Sequence, residues 1–158
     1  DPDTGDLSGD MSYEYYVSYN GIENLSLNLI LADDPGYDTT NIWASYDFGD
    51  FTFAVEYIEN DFVANNGEMS YAGIEVANVA EYDAMMFMLY KAFGDAGLTL
   101  RYTEGSVTVG GVEGDYDKFT VSPSYAFSDN VFGLVEFSTE DLEGLDQDTA
   151  AVELIYSF

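Results

Sequence analysis

The sequence has no cysteine and no histidine, and only 3 of its 158 residues are Lys or Arg. Without thiols there is no disulfide scaffold, no cysteine zinc site and no thiol catalysis. Without imidazole there is no Ser-His-Asp chemistry, nor any other mechanism that turns on a histidine. Against the few bases stand 31 Asp and Glu, for a formal net charge of -28. Such a surface repels phosphate and gains nothing from counterion release, which excludes nucleic acid as a partner. No apolar run reaches the ~18 residues of a transmembrane helix; the longest lies near Ala84 to Tyr90. The first residues also lack the basic and apolar stretches of a secretory leader, so the chain is expected to be mature or to start inside a longer protein. Absent cysteine fits an exported protein. Helical periodicity is almost absent as well.

Ring surface is what the sequence has in quantity: 14 Tyr, 11 Phe and 1 Trp, too much for a solvated tail. It is laid out with period two, the pattern of half-buried strands. Tyr13, Tyr15, Val17 and Tyr19 alternate with Glu14, Tyr16 and Ser18. Leu25 to Leu31, Ile42 to Phe48, Phe51 to Tyr57, Leu98 to Tyr102, Phe119 to Phe127, Val131 to Phe137 and Ala150 to Phe158 repeat the pattern. Tyr82 to Phe93 is apolar on both faces, and Lys91 assigns the face of Met85, Phe87 and Leu89 as its polar side. About nine strands result, each near the ~9–11 residues that cross a bilayer when tilted.

The connections alternate too. Short turns are expected at Asn20-Gly21-Ile22-Glu23, Gly49-Asp50, Asp95-Ala96-Gly97 and Ser128-Asp129-Asn130. Longer acidic loops are expected at Asp33–Thr40, Asp61–Glu81, Gly105–Asp115 and Glu140–Asp148. One tight rim and one elaborated rim are what an up-and-down barrel produces. Phe48, Phe51, Phe93, Tyr125, Phe127, Phe132, Tyr156 and Phe158 gather near the short turns and the terminus, as an interfacial girdle does.

The segment Ala150 to Phe158 resembles the C-terminal signature of Gram-negative outer-membrane barrel proteins. It has a terminal Phe158, an aromatic at Tyr156, and apolar residues at Leu154, Val152 and Ala150. Tyr46 to Phe51 and Tyr125 to Asn130 are similar to the periplasmic turns of general diffusion porins. The resemblance implies an all-β, antiparallel up-and-down transmembrane barrel in the bacterial outer membrane. It implies that Val152, Leu154, Tyr156 and Phe158 are read by the barrel-assembly machinery, and that the protein is a homotrimer among outer-membrane lipid and lipopolysaccharide. An odd count of about nine strands implies that residues 1–158 are the C-terminal portion of a larger barrel, with ~16 strands in similar family members, enough for an aqueous lumen.

Within that frame the expected function is a water-filled channel for passive diffusion of small hydrophilic solutes, preferring cations, with no catalysis and no resident cofactor. A small closed barrel serving as an anchor or adhesin is the alternative, supported by apolar Met85, Phe87 and Leu89 if they point inward. A soluble acidic β-sandwich is the third possibility.

Lys91, Arg101 and Lys118 fall on three consecutive predicted strands, and alternation assigns all three to the polar, pore-lining side. A three-residue loop at Asp95-Ala96-Gly97 sets Lys91 opposite Arg101. Pore-lining acids are expected at Glu14, Asp47, Glu56, Asp83, Glu136 and Glu153, which a wet lumen tolerates and an apolar core does not. They are spread over several strands, unlike the carboxylate pair of a glycosidase. Asp33, Asp34 and Asp38, and Glu140, Asp141, Glu143, Asp146 and Asp148, form acidic loop clusters. Solvation is their simpler role; loop-bound Ca²⁺ or Mg²⁺ bridging lipopolysaccharide phosphates is the other. Asp1-Pro2-Asp3-Thr4-Gly5-Asp6 is reminiscent of calcium loops but lacks their full spacing and terminal Glu.

Overall fold

The computed structural model describes residues 11–62, 67–71 and 74–157, so the calcium-like segment Asp1 to Asp6 and the terminal Phe158 lie outside the described residues. Ten strands follow one another: β1 (Tyr13–Ile22), β2 (Leu25–Asp34), β3 (Tyr37–Phe48), β4 (Phe51–Phe62), β5 (Gly67–Tyr71), β6 (Ile74–Phe93), β7 (Ala96–Val109), β8 (Val112–Ser128), β9 (Val131–Leu142) and β10 (Leu145–Tyr156). Nine of them pair antiparallel in the order β1-β2-β3-β4-β6-β7-β8-β9-β10, and the short β5 pairs only with the upper part of β6. This is the nine-strand, up-and-down sheet that the alternation predicts, with β5 added.

The sheet is curved with its polar face inside. Adjacent strands stand about 4.8 Å apart, so residues two strands apart are roughly 9.6 Å apart on a flat sheet. On the polar face such residues touch. Arg101 of β7 bonds Glu136 of β9 at 3.0 Å, and Tyr82 of β6 stacks on Tyr116 of β8 at 5.8 Å. Tyr16 of β1 stacks on Trp43 of β3 at 6.1 Å. The opposite, convex face carries exposed apolar side chains such as Phe48, Val152 and Leu154. Little of the apolar surface is buried: among the described residues only Val79, Ala84, Val107 and Tyr116 form the buried apolar set.

Three sequence expectations need correction. The long loops Asp33–Thr40, Gly105–Asp115 and Glu140–Asp148 are paired strand almost to their tips. They close in two-residue turns at Pro35-Gly36, Gly110-Gly111 and Glu143-Gly144. Gly110 and Gly111 have φ of 60° and 81°, and Glu143 and Gly144 of 49° and 83°. These left-handed pairs match the twist of a hairpin and let the ladder run on, so backbone groups that a loop would leave to water bond each other. Asp61–Glu81 likewise contains the end of β4, all of β5 and the start of β6.

The expected first turn at Asn20 to Glu23 is still strand through Ile22. A bulge between Tyr19 and Ile22 absorbs the irregularity, and the chain reverses at Glu23-Asn24. The expected three-residue loop after β6 is a two-residue turn at Gly94-Asp95, with Phe93 opposite Ala96. Lys91 therefore faces Leu98, and Arg101 faces Met88. The like-charge pair inferred from sequence is not formed.

Candidate functional site

Pairing assembles the polar residues of separate strands into rows across the concave wall. One row runs through all nine strands: Ser18, Asn28, Trp43, Glu56, Met86, Thr103, Lys118, Glu140 and Gln147. The next row toward the short turns includes Met88, Arg101, Thr120, Ser138 and Thr149. Period-two alternation then sets Glu14, Asp47, Glu136 and Glu153 on the same wall.

Most of the charges near the middle of this wall are tied down. The Arg101 guanidinium donates to Glu136 Oε2 at 3.0 Å, and the Ser122 hydroxyl donates to the same oxygen at 3.2 Å. Lys118 forms an ion pair with Glu140 directly opposite. Asn41 donates to Glu56 at 2.7 Å, and the Thr52 hydroxyl donates to Asp47 at 2.6 Å. Between the two basic residues and Glu56 lies an open cleft of about 420 Å³, lined also by Tyr82, Met86 and Tyr116. The Tyr116 hydroxyl donates to that of Tyr82 at 2.7 Å across β7. Gly105 pairs with both Ala84 and Tyr116, so no side chain stands between the two strands there.

The partly exposed Arg101–Glu136 pair contributes about 1 kcal/mol or less to stability. The consequence of the two pairs is positional: charges of both signs held in place along the concave wall.

Two predicted wall residues are not there. Lys91 and Asp83 share a face with Met85, Phe87 and Leu89, and that face is convex. The polar side of β6 carries Tyr82, Ala84, Met86 and Met88 instead. Asp83 accepts a hydrogen bond from the Ser106 hydroxyl at 2.6 Å. The same inversion takes Met85, Phe87 and Leu89 out of the interior and removes their support for a packed small barrel. Phe132, expected in the outer girdle, belongs to the concave face with Leu134 and Glu136, opposite Ile155. Glu140 was assigned to an acidic loop, although Glu136, Ser138 and Glu140 already continue the alternation of β9. Tyr82 gave no signal because its segment is apolar on both faces, and Tyr116 gave none because it stands at the edge of an expected loop between Asp115 and Asp117.

The convex face has an apolar belt ending in acids at the long-hairpin rim. On β4, Phe51, Phe53, Val55 and Tyr57 give way to Glu59 and Asp61; on β8, Tyr125, Pro123, Val121 and Phe119 give way to Asp117 and Asp115. Four or five alternating positions span about 20–27 Å of strand, near the ~25 Å height of an outer-membrane apolar band once tilted. Register sets the acids opposite one another. Asp33, Asp38, Asp61 and Glu81 form one row across β2, β3, β4 and β6. Glu104, Asp117, Asp141 and Asp146 form another across β7 to β10. At the tip of the second row, a hydrogen bond with Asp141 and its charge raise the pKa of Asp146 above the usual aspartate range. Among the described residues Glu59, Asp61 and Glu81 are the carboxylates close enough to share a cation, with oxygens within 4.8 Å of one another.

No family model and no curated protein matches the sequence. Solved structures do match. An in-vitro folded form of OmpT, an outer membrane protein of Vibrio cholerae, aligns at TM-score 0.68 and 16% identity, over 92% of this chain and 49% of that one. A loop L8 deletion mutant of the same protein aligns at 0.65 and 15% identity, over 90% and 50%. A porin aligns at 0.63 and 15% identity, over 90% and 48%. The chain thus spans about half the length of the structures it matches. With its polar concave wall and apolar convex belt, it has the fold of an outer-membrane β-barrel, as an arc of nine paired strands.

Proposed function

We propose that the chain forms part of the wall of a water-filled channel in the bacterial outer membrane. The channel passes small hydrophilic solutes and ions by passive diffusion, and it prefers cations. The observation that carries this reading is the inverted polarity of the curved sheet. Its concave face holds ionised and hydrogen-bonded groups around an open cleft, and its convex face is apolar. An apolar core would not take Glu56, Arg101, Lys118, Glu136 and Glu140, whereas a lumen of water accepts them at little cost. Acids outnumber bases on this wall, and such a lining raises the local concentration of cations. Nothing in the reading calls for catalysis.

The edge strands β1 and β10 do not pair with each other. Open backbone groups are not tolerated in lipid, so the working barrel includes further strands that close this arc. In the same reading Val152, Leu154 and Tyr156, exposed on the edge strand, belong to the signal for barrel assembly together with Phe158. Divalent cations at the acidic rim join neighbouring lipopolysaccharide phosphates. The barrels associate as trimers, a form in which one matched OmpT structure is described.

The test is single-channel conductance of the native assembly in a planar bilayer under a salt gradient. Stable conductance steps with a cation-selective reversal potential are expected. Insertion without conductance would overturn the channel, and failure to insert would overturn the membrane barrel itself.

A further inference from the structure

The three basic residues occupy two different environments. Arg101 and Lys118 each face a carboxylate on the concave wall. Lys91 is the one base on the convex face, paired across the sheet with Phe51 on β4 and Leu98 on β7. Its Nζ stands 4.4 Å from the centroid of the Phe51 ring and 5.1 Å from that of Phe93. No carboxylate ion pair is made to it among the described residues, in a chain that holds 31 acids.

Its place on the belt is equally specific. Phe93 is the last residue before the turn Gly94-Asp95, and Lys91 is one alternation inside it. The ammonium therefore lies at the short-turn end of the apolar belt. A cation on a lipid-facing surface costs about 2–4 kcal/mol at the bilayer midplane but only about 0–1 kcal/mol near the interface. The four-carbon stem lets the charge reach toward headgroup level while its methylenes stay in apolar surroundings. Two aromatic faces hold it there by attraction to the ring quadrupoles. Rings do not use up the three N–H donors of an ammonium. Those donors are left for oxygen acceptors outside the protein, at the depth where lipid phosphates lie.

We propose that Lys91, flanked by Phe51 and Phe93, is a binding site for the phosphate of an anionic phospholipid in the leaflet at the short-turn rim. The proposal rests on the membrane-barrel reading above. The ammonium donates charge-assisted hydrogen bonds to the phosphate oxygens, and the two rings lie against the glycerol and upper acyl region. An anionic lipid is favoured over a zwitterionic one because the latter carries its own cation beside the phosphate. The nearby turn residues Asp50 and Asp95 are acidic, so Lys91 is the local source of attraction.

Native mass spectrometry of the detergent-solubilised, folded protein tests this, with phosphatidylglycerol, phosphatidylcholine and inorganic phosphate titrated separately. Insertion into vesicles is checked in parallel by protection from protease. The expected result is a first phosphatidylglycerol bound about fivefold more tightly than phosphatidylcholine, with the preference lost in Lys91→Gln and kept in Lys91→Arg. The wild-type preference is a readout that does not depend on either variant folding. Normal insertion with equal affinity for both lipids, or a preference unchanged in Lys91→Gln, overturns the inference and leaves the channel reading standing. Inorganic phosphate competing as well as the lipid overturns the lipid assignment. Failure of the wild type to insert overturns both.

Discussion

Replacing Asp117 by asparagine removes one charge from the middle of the carboxylate row Glu104-Asp117-Asp141-Asp146 while keeping side-chain size. Asp117 is exposed, lies beyond the apolar belt and faces an acid on either side. Opposed carboxylates on neighbouring strands stand about 5.5 Å apart, which in water gives roughly 0.75 kcal/mol of repulsion per pair. With a Debye length of about 8 Å at physiological salt, screening halves this to roughly 0.4 kcal/mol. Two neighbours make the expected gain about 0.8 kcal/mol. In 1 M NaCl the Debye length is about 3 Å, and the gain shrinks to roughly 0.2 kcal/mol. Urea unfolding of the refolded protein in detergent micelles, followed by Trp43 fluorescence, measures both conditions. Asp148→Asn is the comparison, because Asp148 faces Thr139 instead of an acid; it should gain less than half as much. A gain for Asp117→Asn that is independent of salt, or a loss of stability, would refute the register-based repulsion.

Gly105→Ala should destabilise by about 1–3 kcal/mol in the same assay, since an added Cβ would collide with the backbone carbonyl of Asp83. Gly114→Ala should cost much less, because the nearest atom there is the mobile Cγ of Glu143 at 3.3 Å; equal losses at the two sites would contradict this account. The raised pKa of Asp146, caused first by its hydrogen bond with Asp141 and then by that residue's charge, sets the sign of a pH effect. The folded state binds this proton more readily than the unfolded chain, so the pair's liability at neutral pH is relieved as pH falls through the folded pKa toward the ordinary aspartate value. Asp141→Asn should lower the Asp146 pKa in an NMR titration and flatten that acid-side gain; an unchanged Asp146 titration would sink the coupling.

Much of the architecture is written in the period-two alternation. It sorts Tyr13, Val17, Leu27, Phe53, Leu100, Phe119 and Val152 from Ser18, Asn28, Glu56, Arg101, Ser122 and Glu153, and the first group is the convex face. Short turns at Gly49-Asp50 and around Asp129 are legible because turn residues interrupt clean strands there. β6 is different. From Tyr82 to Phe93 both faces are apolar, so the segment has no polarity contrast to orient it. Its two charges, Asp83 and Lys91, lie on the convex side, where Ser106 bonds Asp83 and two aromatic rings hold Lys91. The clean strands β4 and β7 orient β6 by pairing with it, and this reverses the faces assigned to Lys91, Asp83 and Met85.

The sequence by itself determined that the chain is built of antiparallel strands, that one face is polar and the other apolar, and which residues share a face on every strand with contrast. Only the tertiary structure decided register: that Lys118 meets Glu140, that Arg101 reaches across β8 to Glu136, that acids line up in rows, and that long acidic segments are hairpins. The physical reason is that alternation repeats every two residues along a strand and is blind to sliding by an even number. The turn and the hydrogen-bonded neighbour set that sliding, and they are properties of the folded sheet.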